Sequence, residues 1–412
     1  MKLTKEEISW ILYDCGNSAY SIIITTAIFP IYFTGMASQA GASGASATAW
    51  WNYGNAFATF LIVVLSPILG TIADYKNFKK RFFAFFSLLG IAFTGFLAVV
   101  PESNWQFLMI FYVVTVVGFA GSNIFYDAFL VDVSEDENMD KVSSNGFAFG
   151  YISSVVPFVL CIFLINFSGL DVLLMTKISF AITSLWWGLF TLPMIKNVRQ
   201  IHFIEPEPKP LKNSFLRIVN TIKNIRKYRT IAIFLGAYFF YIDGVDTIIR
   251  NAAVFGEQIG LDATGLMIAL LMTQIVAFPC AMLYGMLAVR FSARNMIIFG
   301  ILTYFVVCIM AYRMETIWDF AFLGFMIASA QGGIQALSRS YFAKIVPKKN
   351  SNEFFGFYNI LGKFAAIMGP ILVGTITLAT GDIRKAVLSL VVLFGIGLVM
   401  ILRLPKYPER VK

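Results

Sequence analysis

Apolar and polar residues alternate along this chain in long blocks, not with the short periods of a soluble helix or strand. Runs of about 20 apolar residues, enough to cross a bilayer as a helix, recur twelve times. They cover roughly 8–35, 47–73, 82–101, 105–131, 144–168, 172–195, 229–255, 263–289, 295–312, 316–340, 352–379 and 384–404. The pattern predicts an all-α integral membrane protein with twelve transmembrane helices. The first run is too long for a cleaved signal peptide and is interrupted by Asp14 and Asn17; the small-residue stretch Gly41 to Ala49 after it reads as an extracytoplasmic loop. The longest polar break splits the runs six and six. It predicts one bundle over 1–195, a cytoplasmic linker over 196–228 and a second bundle over 229–412, the layout of a two-domain transporter built from repeats. The Pro-containing front of the linker reads as extended chain. Its back half, Leu211 to Tyr228, reads as a basic amphipathic helix on the inner membrane surface.

Composition sharpens this picture. The chain has 412 residues, 58% hydrophobic and 13% charged, about half the charged share of a soluble domain. The net charge of +9 does not point to nucleic acid, because the basic residues gather in a few loops. With the N-terminus inside, 26 of the 32 Lys and Arg lie in segments assigned to the cytoplasm, Arg339 among them. Arg313, Arg384 and Lys385 lie outside, and Lys177, Arg250 and Lys363 fall within runs or at their edges. The positive-inside bias therefore places both termini in the cytoplasm. In a bacterium the membrane is the plasma membrane. The four cysteines sit in apolar runs with no C-x-x-C spacing, and the single histidine, His202, reads as a solvated loop residue. No metal, disulfide framework or cofactor is expected. There is no phosphate-binding loop, no dinucleotide fingerprint and no H-E-x-x-H motif. No cluster offers a nucleophile with a base, so an enzyme is not expected.

Polar residues inside the runs carry the candidate chemistry. Asp243, Asp246 and Arg250 fall at i, i+3 and i+7 of the seventh run and share one helical face. A charge at mid-bilayer costs roughly 2.5–3.5 kcal/mol on insertion scales, so three on one face must look into a wet crevice or onto other helices. Asp246 and Arg250 can offset each other, which leaves Asp243 to find a cation or hold a proton. The rival reading is a purely structural ion pair. Asp14, Asn17 and Ser21 stripe the first run; Asn123, Tyr126 and Asp127 cluster in the fourth, where Asp127 suits loop anchoring as well as transport. Gln274 precedes Pro279 in the eighth, Gln331 and Gln335 are i, i+4 in the tenth, and Asn359 and Lys363 are i, i+4 in the eleventh. Lys363 and Asp243 lie at similar depth, and each needs a counter-charge, so a direct pair is expected.

A repeat supports the division into halves. Gly70, Asp74, Asn77, Lys79 and Lys80 follow the second run; Gly285, Arg290 and Arg294 follow the eighth. The first loop resembles the signature loop of the major facilitator superfamily, G-x-x-x-D-R/K-x-G-x-R/K-R/K. Asn77 stands for its second Gly, a residue that tolerates a left-handed turn. Tyr75 replaces its first basic residue, and Val289 replaces the Asp of the second copy, so the implied latch is one-sided. Further stretches resemble the vacuolar effluxer-like branch of that superfamily: Trp10 to Ser21, Gly146 to Tyr151, Ala237 to Arg250, Gln274 to Pro279, Gly333 to Ser340 and Phe354 to Pro370. Cys15 and Gly16 stand where the branch usually has Trp and Ala, and Asp246 where it often has an uncharged residue.

The resemblance implies two pseudo-symmetric six-helix bundles that rock around a central site. Helices 1, 4, 7 and 10 line it, which is where Asp14, Asn123, Tyr126, Asp243, Asp246, Arg250 and Gln335 fall. Fungal members are implicated in amino-acid efflux from the vacuole. The expected function is secondary transport of a small polar or zwitterionic, amino-acid-like solute, coupled to a proton. Arg250 suits a carboxylate, and Asp14 or Asp243 an ammonium or the coupling proton. A monomer in a lipid bilayer is expected. The rivals are an exporter of amphipathic drugs or lipids, against which several interior charges argue, and a non-transporting membrane sensor.

Overall fold

The computed structural model describes residues 3–101, 104–205, 210–223, 227–258, 263–314, 316–381, 383–407 and 410. Within these, the side chains of 44, 45, 48, 210–212, 222, 250–258, 263–270, 317, 364–367 and 383 lie outside the described set.

The first span joins α1 (Lys5–Tyr20), a π-helical stretch (Ser21–Ala27) and α2 (Ile28–Gln39). After it come α3 (Gly44–Ala73), α4 (Phe78–Phe96), α5 (Trp105–Ala128) with its short continuation α6 (Leu130–Val133), α7 (Met139–Phe167) and α8 (Val172–Asn197). The linker forms α9 (Pro210–Lys223). Then follow α10 (Arg229–Gln258), α11 (Ala263–Phe291), α12 (Ala293–Tyr312), α13 (Ile317–Ile345) and α14 (Ser351–Thr380), and α15 (Ile383–Ser389) and α16 (Val391–Leu402) form the last span.

Among the described residues, 11 helices are long and apolar enough to cross a membrane. The twelfth expected span, α4, has 19 residues and falls outside that set. Its first turn carries Lys79, Lys80 and Arg81, so too little of it is apolar, although it packs between α5 and α8 as a span would. Large apolar side chains such as Leu185, Leu189, Val289 and Leu378 point outward and exposed, the surface expected where the solvent is hydrocarbon.

The first six spans pack mainly on one another, as do the last six. The halves meet where α3 lies against α14 and where α7 lies against α11 and α13. The end that carries the first residues of α1 and the last of α16, here called the basic end, is where the halves are sewn together. Lys344 Nζ reaches Asp140 Oδ2 at 2.6 Å. Ser340 donates to Asp140 Oδ1 at 2.7 Å, and Ser143 donates to the Ala336 carbonyl at 2.7 Å. Arg410 ties Asp136 to the Ala343 and Val346 carbonyls.

The linker is docked along both of its parts. Its front is extended but docked: Ile204 pairs with Tyr75 in an isolated parallel bridge, and the Ile204 N–H donates to the Asp74 carbonyl at 2.8 Å. Its helix α9 lies on α3 with Ser214 and Ile218 buried, while Phe215 and Leu216 face outward. His202 is docked as well. Its backbone N–H and Nδ1 reach Asp132 Oδ1 at 2.8 and 3.0 Å. The same carboxylate holds Lys79 at 2.7 Å.

Candidate functional site

The signature turn latches one half to the other. Asn77 takes φ 68, the left-handed conformation that lets α3 reverse into α4. Asp74 then faces the start of α14: its Oδ1 accepts from the Asn352 N–H and from Asn352 Nδ2, both at 3.0 Å. A carboxylate there meets the unpaired N–H groups and the positive end of the helix dipole. Arg217 of α9 adds a bridge, 2.9 Å to Asp74 and 3.0 Å to Glu353 of α14. Thr221 donates to Glu353 at 2.5 Å. Burial pushes the Asp74 carboxyl up to about 7 against the pull of the Arg217 guanidinium, and neighbouring Glu353 pushes the same way as burial. Lys79, fully buried, spans Asp132, the Ala128 carbonyl and Ser351 Oγ at 2.7, 3.2 and 3.1 Å. Lys80, expected beside it, stays at the rim near Arg199. Gly70 admits the Asn352 backbone, and in the second copy Gly285 admits Ser144 of α7. Arg290 remains exposed at the end of α11.

Deeper in lies a cluster that brings Asp14, Tyr126 and Asp127 together. A capping box at Thr4 and Glu7 starts α1, and Ser134 donates to Glu7 at 2.9 Å, which fixes the helix to the end of α5. Asp14 follows ten residues after Thr4, about 15 Å along the axis. Tyr126 donates to Asp14 Oδ2 at 2.7 Å, and Trp10 stacks on Tyr126 with centroids 4.5 Å apart. Into this corner comes Arg339 of α13, from the other half. Its Nη2 is 3.3 Å from Asp14 Oδ2, its Nη1 3.2 Å from Asp127 Oδ1, and its Nε donates to Ser143 Oγ at 2.9 Å. The guanidinium lies 4.5 Å from the Trp10 ring, 4.5 Å from Phe147 and 5.4 Å from Tyr126. Its side chain is 4% exposed. Gly146 makes room for it, since a Cβ there would strike Asp14 Oδ2 and crowd Arg339.

Arg339 therefore does not belong with the loop cations. It lies six residues before the end of α13, about 9 Å inside. The available signal was its register, since Gln331, Gln335 and Arg339 are i, i+4, i+8 on one face. Arg217, Glu353 and the Asp140–Lys344 pair were also missed, because they depend on contacts that no local spacing reveals.

Next to this cluster, Asn17 donates to Asn123 Oδ1 at 2.9 Å. Asn359 is half-buried within hydrogen-bonding reach of Asp127. Gln335 and Lys363 are half-buried on α13 and α14, and Gln274 is half-buried on α11 one turn before Phe278. The π-helical stretch begins at Ser21, the last member of the Asp14–Asn17–Ser21 stripe, and widens the first span there; such bulges recur at functional sites. The seventh span is more divided. Asp243 is fully buried and its Oδ1 accepts from the Gly369 N–H at 2.9 Å. Asp246 is half-buried in electrostatic reach of Tyr151, Tyr238 and Tyr304, and Tyr151 lies within hydrogen-bonding reach of Gln331. The Arg250 side chain lies outside the described residues.

Known proteins resemble this chain in sequence and in fold. The profile described as "Vacuole effluxer Atg22 like" matches residues 3–409. An MFS-type transporter of Bacillus subtilis (strain 168), YxiO, is 50% identical over 410 residues, covering 98% of this chain and 96% of that one. Autophagy-related protein 22 of Kluyveromyces lactis is 23% identical over 363 residues, 80% of this chain and 73% of that one. Among solved structures, a double-Trp mutant of XylE superposes with TM-score 0.76 at 12% identity, covering 98% of this chain and 96% of that one. FucP in its outward conformation gives 0.69 at 14% identity, covering 97% and 99%. These two show the fold. The chain is an integral membrane protein of the transporter type and belongs to the vacuole effluxer Atg22-like family of the major facilitator superfamily.

Proposed function

We propose that the protein is a secondary transporter for a small polar, amino-acid-like solute, coupled to protons, and that the conformation described here is its state closed at the cytoplasmic face. The observation that carries this is Arg339, a cation of the second half buried between Asp14 and Asp127 of the first. An ion pair that crosses the halves is engaged in one conformation and separated in the other, the kind of contact alternating access requires. One cation facing two carboxylates leaves room for a proton to follow the switch. The bases clustered at the sewn end support reading it as the cytoplasmic face, by the positive-inside bias. Asn17, Asn123, Asp246, Gln335, Asn359 and Lys363 would line the solute's crevice, with Arg250 suited to a carboxylate. The matching family's description as vacuole effluxers favours export. The test is reconstitution in liposomes loaded with a pH dye. A solute from an amino-acid panel should drive proton movement, and Asp14→Asn should abolish it. Solute movement indifferent to pH would reject the coupling, and no movement of any solute would reject the function.

A further inference from the structure

We infer that the slot filled by Arg339 is the receptor for a cationic head on the transported solute, a guanidinium or an amine. This rests on the transporter reading above and names its substrate class. The groups that face the guanidinium belong to the first half: Trp10 and Asp14 on α1, Tyr126 and Asp127 on α5, Ser143 and Phe147 on α7. The second half supplies the cation, and Asn359 and the Ala336 carbonyl brace Asp127 and Ser143.

When the halves part at the basic end, the walls stay together and lose their occupant. Two carboxylates and three aromatic faces then remain. Protons would neutralise the carboxylates, but they make no use of the rings. Trp10 and Phe147 both approach the guanidinium at 4.5 Å, and aromatic faces around an acid pair are the chemistry that recognises an organic cation. Arg339 thus works as a built-in competitor. A solute that enters from the basic end displaces Arg339, and once it has moved on into the crevice beside Asn17 and Asn123, Arg339 returns and closes that end behind it. A neutral zwitterion such as leucine offers its ammonium only next to its carboxylate, which Asp14 and Asp127 repel. A basic amino acid offers a second cation at the end of a flexible stem.

The experiment is counterflow into proteoliposomes holding the full-length protein and unlabelled solute, with labelled L-arginine, agmatine and L-leucine compared at one pH. Arginine and agmatine should exchange roughly tenfold faster than leucine. Phe147→Leu should reduce that preference while leaving the carboxylates in place, and excess agmatine should compete with arginine. Leucine exchanging while both cations do not would overturn the inference and leave the transporter reading standing. Proton movement with no exchange of either cation would overturn it as well. If none of the three exchanges and no panel solute moves protons, both fail together.

Discussion

Replacing Arg339 with Gln gives the sharpest perturbation. In the closed state it strands Asp14 and Asp127, which lose N–O contacts of 3.3 and 3.2 Å, in a corner roofed by Trp10, Tyr126 and Phe147. Breaking a buried ion pair by removing one partner costs about 3–5 kcal/mol. In the open state the same carboxylates face water, so nearly all of that cost falls on the closed state. At ~1.4 kcal/mol per tenfold, the equilibrium should move toward open by roughly two to three and a half powers of ten. The assay is pulsed electron-spin distance measurement between labels at Glu137→Cys and Lys349→Cys, exposed positions on opposite halves of the basic end. Wild-type protein should give a short distance and Arg339→Gln a longer one. Adding Asp14→Asn and Asp127→Asn removes the stranded charge and should restore much of the short population. A distribution unchanged by Arg339→Gln in folded, monodisperse protein would refute the gate.

Three other outcomes are expected. Asp74 sits at about 7 in the closed state against its ordinary 3.8. The closed state therefore binds the extra proton, and its advantage is full in acid and lost as pH rises from about 4 through about 7; the same labels should show closure fading over that window, and Asp74→Asn should flatten the response. Arg217→Ala removes charge-assisted bonds to Asp74 and Glu353 worth roughly 1.5–3 kcal/mol, so the long-distance population should grow, and because the solute enters the slot only when Arg339 is out, its apparent affinity should rise, as read by thermal stabilisation. Neutralising Asp243 or Lys363 alone should harm transport more than neutralising both; additive losses in proteoliposome flux would reject a direct pair.

How far the sequence could be read depended on the range of the interaction. Hydropathy located the spans, helical register put Asp14 on a stripe with Asn17 and grouped Tyr126 with Asp127, and the resemblance placed both helices at the central site; that Tyr126 donates to Asp14 came only with the fold. Asn77 could be recognised because its left-handed turn is a local property. Arg339 was counted with the cytoplasmic cations because it stands at the very end of the tenth apolar run, 316–340, whereas the helix itself continues to Ile345. A hydropathy window stops where side chains turn polar, even when another bundle supplies their partners. His202 and Arg217 were misread for a related reason. A charged linker looks solvated until the carboxylates that hold it, Asp132, Asp74 and Glu353, are brought close by folding. In α4 the error ran the other way, since Lys79, expected at a loop end, opens the helix fully buried.

The most direct test of alternating access at this gate is labelling of Asn359→Cys, next to Asp127, in oriented vesicles with a membrane-impermeant thiol reagent. The cysteine should react from the face opposite the basic end in otherwise wild-type protein, and from the basic end once Arg339→Gln is added. Reaction from both faces with Arg339 intact, or from neither face in both proteins, would contradict a crevice sealed on one side by Arg339.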